Sequence, residues 1–356
     1  AVANRGQGRS HKIFARSAVT TPTPPLFAPQ ESTMSKPEIV AIAPLPGFFS
    51  TPLQEQFVAH DLHGGADAEA RRVLIAKIAP TTRAMVAMGG SQLSAEQLAK
   101  FPNLEIISVF GVGYDGMPLA ACADAKVKVT NTPDVLNDEV ADTAVALTMM
   151  TSRQFVASQK FVESGAWLKG QYPLTTSMWG KTVGIIGLGR IGKEIANRLR
   201  AHKMNVVYFG RSKQDVPYTY YDNLVAMAGD ADVLIAITPG GAGTKHLVNA
   251  EVLAALGTTG IFVNVARGSV ADEAALVAAI ENGTIAGAGL DVFEGEPKVP
   301  EALFNRPNVI LLPHVASATL ETRVAMGNLV IENLALHFAG KPVRTLVPEL
   351  VGKVGA

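Results

Sequence analysis

From Glu38 onward the chain alternates short apolar runs with segments whose apolar residues recur every three or four positions. The runs Ile39–Leu45, Met85–Met88, Leu104–Phe110 and Val127–Asn131 read as strands. Between them Pro52–Ala59, Ala66–Ile78, Ser94–Lys100 and Pro118–Ala125 read as helices. Ser94 followed by Gln97 has the spacing of a capping box, which marks a helix start. Strands that alternate with helices in this way predict a parallel sheet covered on both faces.

A longer helical pattern follows, roughly Asn137 to Trp167. It opens on the acids Asp138, Glu139 and Asp142, and its apolar positions Val140, Ala144, Leu147 and Met150 lie three and four apart. That length exceeds what one small domain needs; a subunit interface or an interdomain strut would explain it, and we expect the interface of a homodimer. From Lys181 the rhythm of strand and helix resumes and runs to a strand at Val309–Leu312. The last helix, Leu320–Phe338, is then left to complete the first unit. The expected fold class is α/β, with two doubly wound parallel-sheet domains. One comprises residues 34–131 plus 320–356, the other residues 132–319, and ligands are expected in the cleft between them.

The stretch Lys181–Ser212 carries the clearest local chemistry. Gly187, Gly189 and Gly192 form G-x-G-x-x-G, preceded by the apolar Val183, Ile185 and Ile186 and followed by the helical pattern Ile191, Ile195, Ala196, Leu199. The first glycine permits a sharp turn, the second lets backbone approach a pyrophosphate, and the third lets helix and strand pack closely. The helix N-terminus adds free N–H groups and partial positive charge. Without its context the motif could be only a glycine loop; strand before and helix after make it a dinucleotide site, so this half is expected to be a Rossmann NAD(P)-binding domain. NAD-binding units usually end their second strand in an acid that bonds the ribose 2′-OH. Here that position holds Arg211, Ser212 and Lys213, with Asp215 beyond the basic turn. A solvated basic loop is the bland alternative. At this specificity position, cations favour NADPH/NADP over NADH.

Composition narrows the classes. With 48% hydrophobic residues among 356, substantial cores can form, and a formal net charge of zero leaves no electrostatic footprint for nucleic acid or an anionic membrane. No apolar run approaches the roughly 18–20 residues of a membrane span. Cys122 is the only cysteine, which excludes an intrachain disulfide and fits a cytoplasmic setting. No metal ligands are assigned. Residues 1–33 carry Arg5, Arg9, Lys12 and Arg16 against Glu31 alone and precede Met34. They are expected to be a disordered leader or tag, with an organelle transit peptide as the alternative.

In an open parallel sheet, ligands bind beyond the carboxyl ends of the strands. There stand Arg267, then Asp291 with Glu294 and Glu296, then His314. Singly, Arg267 could be a salt-bridge residue, Glu296 a turn residue before Pro297, and His314 a core histidine. Together, beyond a dinucleotide site, they are more than nucleotide binding requires.

The stretches GVGYD (111–115), NTPDVLNDEVADTA (131–144), GIIGLGRIG (184–192), NVARGS (264–269), GAGLDVFEGEP (287–297) and LPHVASAT (312–319) are specific in combination. Through them the chain resembles the D-isomer-specific 2-hydroxyacid dehydrogenase family, from Glu38 to Glu349, and most its glyoxylate/hydroxypyruvate and hydroxyphenylpyruvate reductase branches. The resemblance implies a flavodoxin-like substrate domain beside the Rossmann domain. It implies that Arg267 binds the substrate's carboxylate and carbonyl oxygen, that His314 donates the proton, and that Glu296, rather than its neighbour Glu294, pairs with His314. The substrate-carboxylate cradle falls on the backbone of Val112 and Gly113, and Asp291 matches the aspartate that holds the nicotinamide carboxamide. The candidate cofactor set comprises Gly187, Leu188, Gly189, Arg190, Ile191 and Gly192, the turn Arg211, Ser212 and Lys213, and, at further strand ends, Thr238, Pro239, Val265, Ala266, Asp291 and His314.

The chemistry fits these roles. Guanidinium offers planar paired donors to a carboxylate and an adjacent carbonyl. Hydride arriving at the carbonyl carbon develops negative charge on oxygen, which Arg267 can stabilise and His314 can protonate. An unperturbed imidazole titrates at about 6.5, and a carboxylate beside it favours the imidazolium. Glutamate at position 296 argues against a formate dehydrogenase, which has glutamine there. Small substrates such as glyoxylate or hydroxypyruvate and aromatic ones of the hydroxyphenylpyruvate type both remain open. Candidate pocket walls are Leu45, Phe48, Phe49, Met88 and, from a partner subunit, Trp167, with local packing as the alternative for the two phenylalanines. A nucleotide-sensing corepressor is the alternative from another class, and a degenerate binding module is disfavoured by the full Arg267, Glu296, His314 set.

Overall fold

The computed structural model of the protein describes residues 36–63 and 67–355, and Lys36–Ala356 pack as one compact unit. The leader expected over residues 1–33 lies outside the described residues. The first strands and helices are β1 Glu38–Ala41, α1 Gly47–Gln56, β2 Val58–Asp61, α2 Ala68–Ile78, β3 Thr82–Met88, α3 Ala95–Leu98, β4 Ile106–Phe110, α4 Leu119–Asp124 and β5 Lys128–Thr130. The five strands pair in parallel in the order β2-β1-β3-β4-β5, the flavodoxin-like arrangement. β3 and β4 are apolar and buried almost throughout, as strands covered on both faces must be. The capping box forms: the Ser94 hydroxyl accepts from Gln97 N at 3.1 Å and the Gln97 amide oxygen accepts from Ser94 N at 2.8 Å. Such a cap contributes about 1 kcal/mol.

Two strands escaped the sequence reading. β2 was assigned in part to a helix, because Val-Ala-His-Asp alternates no apolar face, and as an edge strand it is half exposed. The helix before it begins earlier than expected, at Gly47. Its faces differ: Phe49 is 1% exposed and Phe48 37%. Phe49 stacks at 5.2 Å on Phe110 and lies against Gly327, where a Cβ would come within 2.9 Å of the ring. Phe49 is therefore core, which corrects its expected place in a pocket wall.

The helical pattern after Asn131 is also not one helix. It breaks into α5 Asn137–Arg153 and α6 Phe155–Glu163 at Gln154, whose φ of +49° ends the first and opens the second. α5 buries Val140, Ala144, Leu147 and Thr151 inside its own chain. It lies on β11 Gly287–Leu290, where a Cβ on Gly289 would meet Leu147 and Thr151 at 3.0 Å. The apolar side chains left exposed belong to the following segment, among them Phe155, Val162, Trp167 and Trp179.

The second sheet is built from β6 Thr182–Ile186, α7 Arg190–Ala201, β7 Asn205–Phe209, β8 Thr219–Tyr221, α8 Leu224–Asp230, β9 Val233–Ala236, α9 Ala250–Leu256, β10 Ile261–Asn264, α10 Glu273–Glu281, β11 and β12 Val309–Leu311. Its seven strands are parallel, in the order β8-β7-β6-β9-β10-β11-β12. That order runs outward in both directions from β6, so the crevice between β6 and β9 is its switch point. β8, a second exposed edge strand, was the other element missed.

The final helix, α11 Leu320–Phe338, packs on α1 and β4 of the first sheet, and the tail returns to β5 through a bridge between Thr130 and Leu346. Among the described residues no helix is long and apolar enough to cross a membrane. Near the end of α11, His337 Nε2 sits 2.9 Å from Glu105, which also receives Arg83. Burial holds the His337 imidazole below its ordinary pKa of 6.5, and Glu105 does not fully offset it. A histidine kept neutral in the fold but free to charge when unfolded withdraws stability as pH falls below about 6.5. The melting temperature of His337→Gln should therefore fall less between pH 7 and pH 5.5 than that of the wild type. Parallel curves for the two proteins would contradict this account.

Candidate active site

The glycine turn lies at the switch point of the seven-stranded sheet. Gly187 N donates to Phe209 O on one side of β6, and Ile237 N donates to Ile186 O on the other. Gly187 has φ +101°, and a Cβ there would crowd Ile237 O at 3.0 Å. At Gly192 a Cβ would fall 2.3 Å from Gly187 O, so helix and turn pack at backbone distance. Gly189 faces open space and stands at the N-cap of α7 without a side-chain cap. The first N–H groups of α7 are thus left free for an anion, as a pyrophosphate needs.

The side chains of Leu188 and Ile191 serve packing instead: Leu188 is buried, and Ile191 packs against the main core. Leu188 contributes its carbonyl, which accepts from Gln214 Nε2 at 2.8 Å. That bond ties the turn carrying Arg211, Ser212 and Lys213 to the glycine turn. Arg211 and Lys213 are exposed, and neither forms an ion pair among the described residues. Arg190 is also exposed and pairs with Asp134 at 3.2 Å. Thr238 and Pro239 follow β9, and Pro239 O accepts from Thr244 Oγ1. Val265 and Ala266 follow β10 and are buried; Ala266 N donates to Asn264 Oδ1, and its carbonyl accepts from Arg267 Nη1 at 2.8 Å.

Arg267 extends from β10 to the loop after β4. Its guanidinium lies so close to Gly113 that a Cβ there would fall 1.6 Å from Nη2. Its Nε is 3.4 Å from Asp115 Oδ1. Asp115 belongs to the quoted GVGYD stretch, yet sequence reasoning gave it no role, because its partner is remote in the chain. The backbone of this loop is held from behind. Asn131 Nδ2 donates to Val112 O at 2.8 Å, and Asn131 O accepts from Thr345 Oγ1 at 2.6 Å. Thr345 is fixed in turn by Asn333, a fully buried amide that makes four hydrogen bonds. The Tyr114 hydroxyl donates to Glu349 at 2.9 Å; burial first, then that carboxylate, pushes its pKa up to about 12.

His314 follows β12 and meets the Glu296 carboxylate at 2.8 Å through Nδ1. The other Glu296 oxygen accepts from Phe293 N at 3.0 Å. Burial works to raise the Glu296 carboxyl, but these two bonds and the charges of His314 and Arg267 outweigh it and leave its pKa lowered. Glu294, the local competitor for this pairing, binds His246 Nε2 at 2.9 Å instead. His314 has φ +55°, a left-handed conformation that costs a non-glycine residue about 1 kcal/mol or more. Asp291 holds it there: its main-chain oxygen accepts from His314 N, and its carboxylate accepts from Val315 N at 2.7 Å and Ala316 N at 2.9 Å. Asp291 is 1% exposed, and burial raises its pKa in spite of those bonds. The loops after β10 and β11 abut, since a Cβ on Gly268 would overlap the Phe293 carbonyl.

Residues 145–316 match the model of the D-isomer specific 2-hydroxyacid dehydrogenase, NAD binding domain. Among curated proteins, the hydroxyphenylpyruvate reductase of Plectranthus scutellarioides is 47% identical over 279 residues, which is 78% of this chain and 89% of the relative. The glyoxylate/hydroxypyruvate reductase A of Arabidopsis thaliana is 41% identical over 310 residues, covering 87% and 98%. Among solved structures, the NADPH-dependent glyoxylate/hydroxypyruvate reductase of Sinorhizobium meliloti, in complex with NADP and malonate, superposes with a TM-score of 0.81 at 43% identity, covering 89% and 98%. Motifs, sheet order and similarity over most of each relative agree: the chain belongs to the D-isomer specific 2-hydroxyacid dehydrogenase family and is an NAD(P)-dependent 2-oxo acid reductase.

Proposed function

We propose that this protein reduces a small 2-oxo acid of the glyoxylate/hydroxypyruvate type to the D-2-hydroxy acid with NADPH. The observation that carries this reading is the pairing of His314 with Glu296 on the same strand-end edge as Arg267, whose guanidinium lies on the Gly113 backbone. When bound, NADPH supplies the hydride. The residues that would hold it are the N-terminus of α7, with Gly189 open beside it, and, for a 2′-phosphate, Arg211 and Lys213, which form no ion pair among the described residues. Asp291 is the further candidate toward the nicotinamide end.

Arg267 orients the oxo acid by donating to its carboxylate and carbonyl oxygen, assisted by the N–H groups of the Val112–Gly113 loop. As negative charge develops on the carbonyl oxygen, the guanidinium offsets it. His314 Nδ1 is engaged by Glu296, so Nε2 is the nitrogen left to hand its proton to that oxygen. Glu296 holds the ring in place through its contact with Nδ1. In the reverse direction Nε2 accepts the proton.

An aromatic 2-oxo acid is the second reading, favoured by the 47% relative, whose name is hydroxyphenylpyruvate reductase. We also propose that residues 34–131 with 320–356 act as the substrate domain and residues 132–319 as the nucleotide domain. The exposed apolar side chains between Phe155 and Trp179 support a homodimer formed through that segment, with Trp167 carried toward the neighbouring subunit.

Three measurements test these proposals. Absorbance decay of NADPH and NADH should be followed with glyoxylate, hydroxypyruvate and hydroxyphenylpyruvate. The highest kcat/KM should fall on a small acid with NADPH, and His314→Gln should lower kcat by about 10²–10⁴-fold with little change in NADPH affinity. Comparable efficiency with NADH would overturn the cofactor assignment, and wild-type turnover in the variant the role of His314. Gly113→Ala should displace the Arg267 guanidinium and lower kcat/KM by about 100-fold, with cofactor affinity retained. Near-normal kcat/KM would remove Arg267 from the proposed position. Sedimentation at micromolar concentration should give the mass of two chains, and a one-chain mass would exclude the dimer.

A further inference from the structure

A cavity of about 610 Å³ opens in the five-stranded part of the molecule, and Arg267, Glu296 and His314 are not among its lining residues. Its walls come from the loops after β1, β2 and β3 and from α2 and α3. That is the switch point of this sheet, because strand order reverses at β1, and open parallel sheets bind ligands at such points. The volume lies within the roughly 300–1,000 Å³ of small-molecule sites.

The lining has a definite chemistry. Ile42, Leu62, Ile75 and Met85 give it an apolar interior, as does Met88, one of the expected walls of the oxo-acid pocket, while Arg71, Lys100 and His63 bring positive or titratable groups. Among the described residues no Asp or Glu lines it. Arg71 and Lys100 form no ion pair among the described residues, although the neighbouring Arg72 is bound to Glu69. Cations left without carboxylates around an apolar cavity suit an anion with an apolar body. We propose that this cavity is a second ligand site, for a small organic anion with an apolar body and a carboxylate or phosphate head.

The site has a mechanical route to the cleft. Its wall includes Ser91 and Leu93, in the loop after β3. Leu93 N donates to Gly116 O at 3.0 Å, and Gly116 packs so tightly on Ser91 O that a Cβ would fall 2.0 Å from it. Gly116 ends the loop that carries Gly113 and Asp115. A ligand that shifts the loop after β3 therefore shifts the loop against which Arg267 rests. This coupling rests on the proposed substrate role of that loop, whereas the binding itself does not.

The test uses the NADP-loaded protein with ¹³C-labelled methionine methyl groups, titrated separately with phenyl phosphate and phenylacetate. The two probes distinguish the head groups. Met85 is fully buried beneath the cavity and reports its filling. Its signal should shift saturably with at least one probe. Affinity should fall at least about tenfold in Arg71→Glu/Lys100→Glu, and by less in Arg71→Gln/Lys100→Gln. Without a probe, kcat and KM of both variants should match the wild type. No saturable Met85 shift, or equal affinity in wild type and the charge-reversed variant, would overturn the site. An oxo-acid KM unchanged at saturating probe would overturn the coupling.

Discussion

Everything at the candidate site depends on one close approach, that of the Arg267 guanidinium to the backbone of Gly113. The two residues end strands in different sheets, and only the absence of a Cβ lets them meet. The guanidinium is also anchored on its own side, by Nη1 on Ala266 O, and on the far side by Asp115 near Nε. A planar fork fixed at two points is preorganised, as the proposed contact with substrate needs. The five-stranded sheet is built to allow this. Gly89 packs against Gly111 and the Gly113 carbonyl, and Gly116 against Ser91, so the loops after β3 and β4 form one rigid shelf. The buried Asn333, through Thr345 and Asn131, then fixes the direction of the Val112 carbonyl.

The histidine side of the site is held by the opposite device, strain restrained by hydrogen bonds. His314 occupies a left-handed conformation that its side chain disfavours, and a buried carboxylate is spent on holding it there. Burying Asp291 is itself unfavourable, which its raised pKa records. Two costs accepted at one position indicate that imidazole placement, rather than stability, determines the local sequence. The Glu296 contact then fixes the ring about its remaining axis.

Much of this was legible in the residues, because the strongest signals were local. The glycine turn, the capping box at Ser94 and the extent of α11 follow from short-range periodicity and backbone sterics. What escaped depends on partners distant in the chain. β2 and β8 are short edge strands of four and three residues, too short for alternation to reveal them. The break at Gln154 carries neither glycine nor proline, and no periodicity marks it. Adjacent phenylalanines at 48 and 49 look alike in sequence, and only packing against Phe110 and Gly327 separates core from surface. Asp115, Asn131 and Asn333 have no sequence signal as site residues, since their meaning lies entirely in what they touch.

The groups left over once internal bonds are counted give a sharper picture than the list of expected residues. Ala266 has both its N–H and its carbonyl engaged, and Leu188 is buried with its carbonyl occupied, so neither has much to offer a ligand. Among the described residues, the groups left along this edge include the first N–H groups of α7, Arg267 Nη2, the second nitrogen of His314, and the cations of Arg211 and Lys213. Apart from that histidine nitrogen, which donates only when protonated, these are donors or positive charges, in a chain whose formal net charge is zero. The positive character is therefore local and directed, aimed outward from the strand ends. A surface of that kind is complementary to acceptors spread over the length of a dinucleotide, with a carboxylate beside a carbonyl at one end.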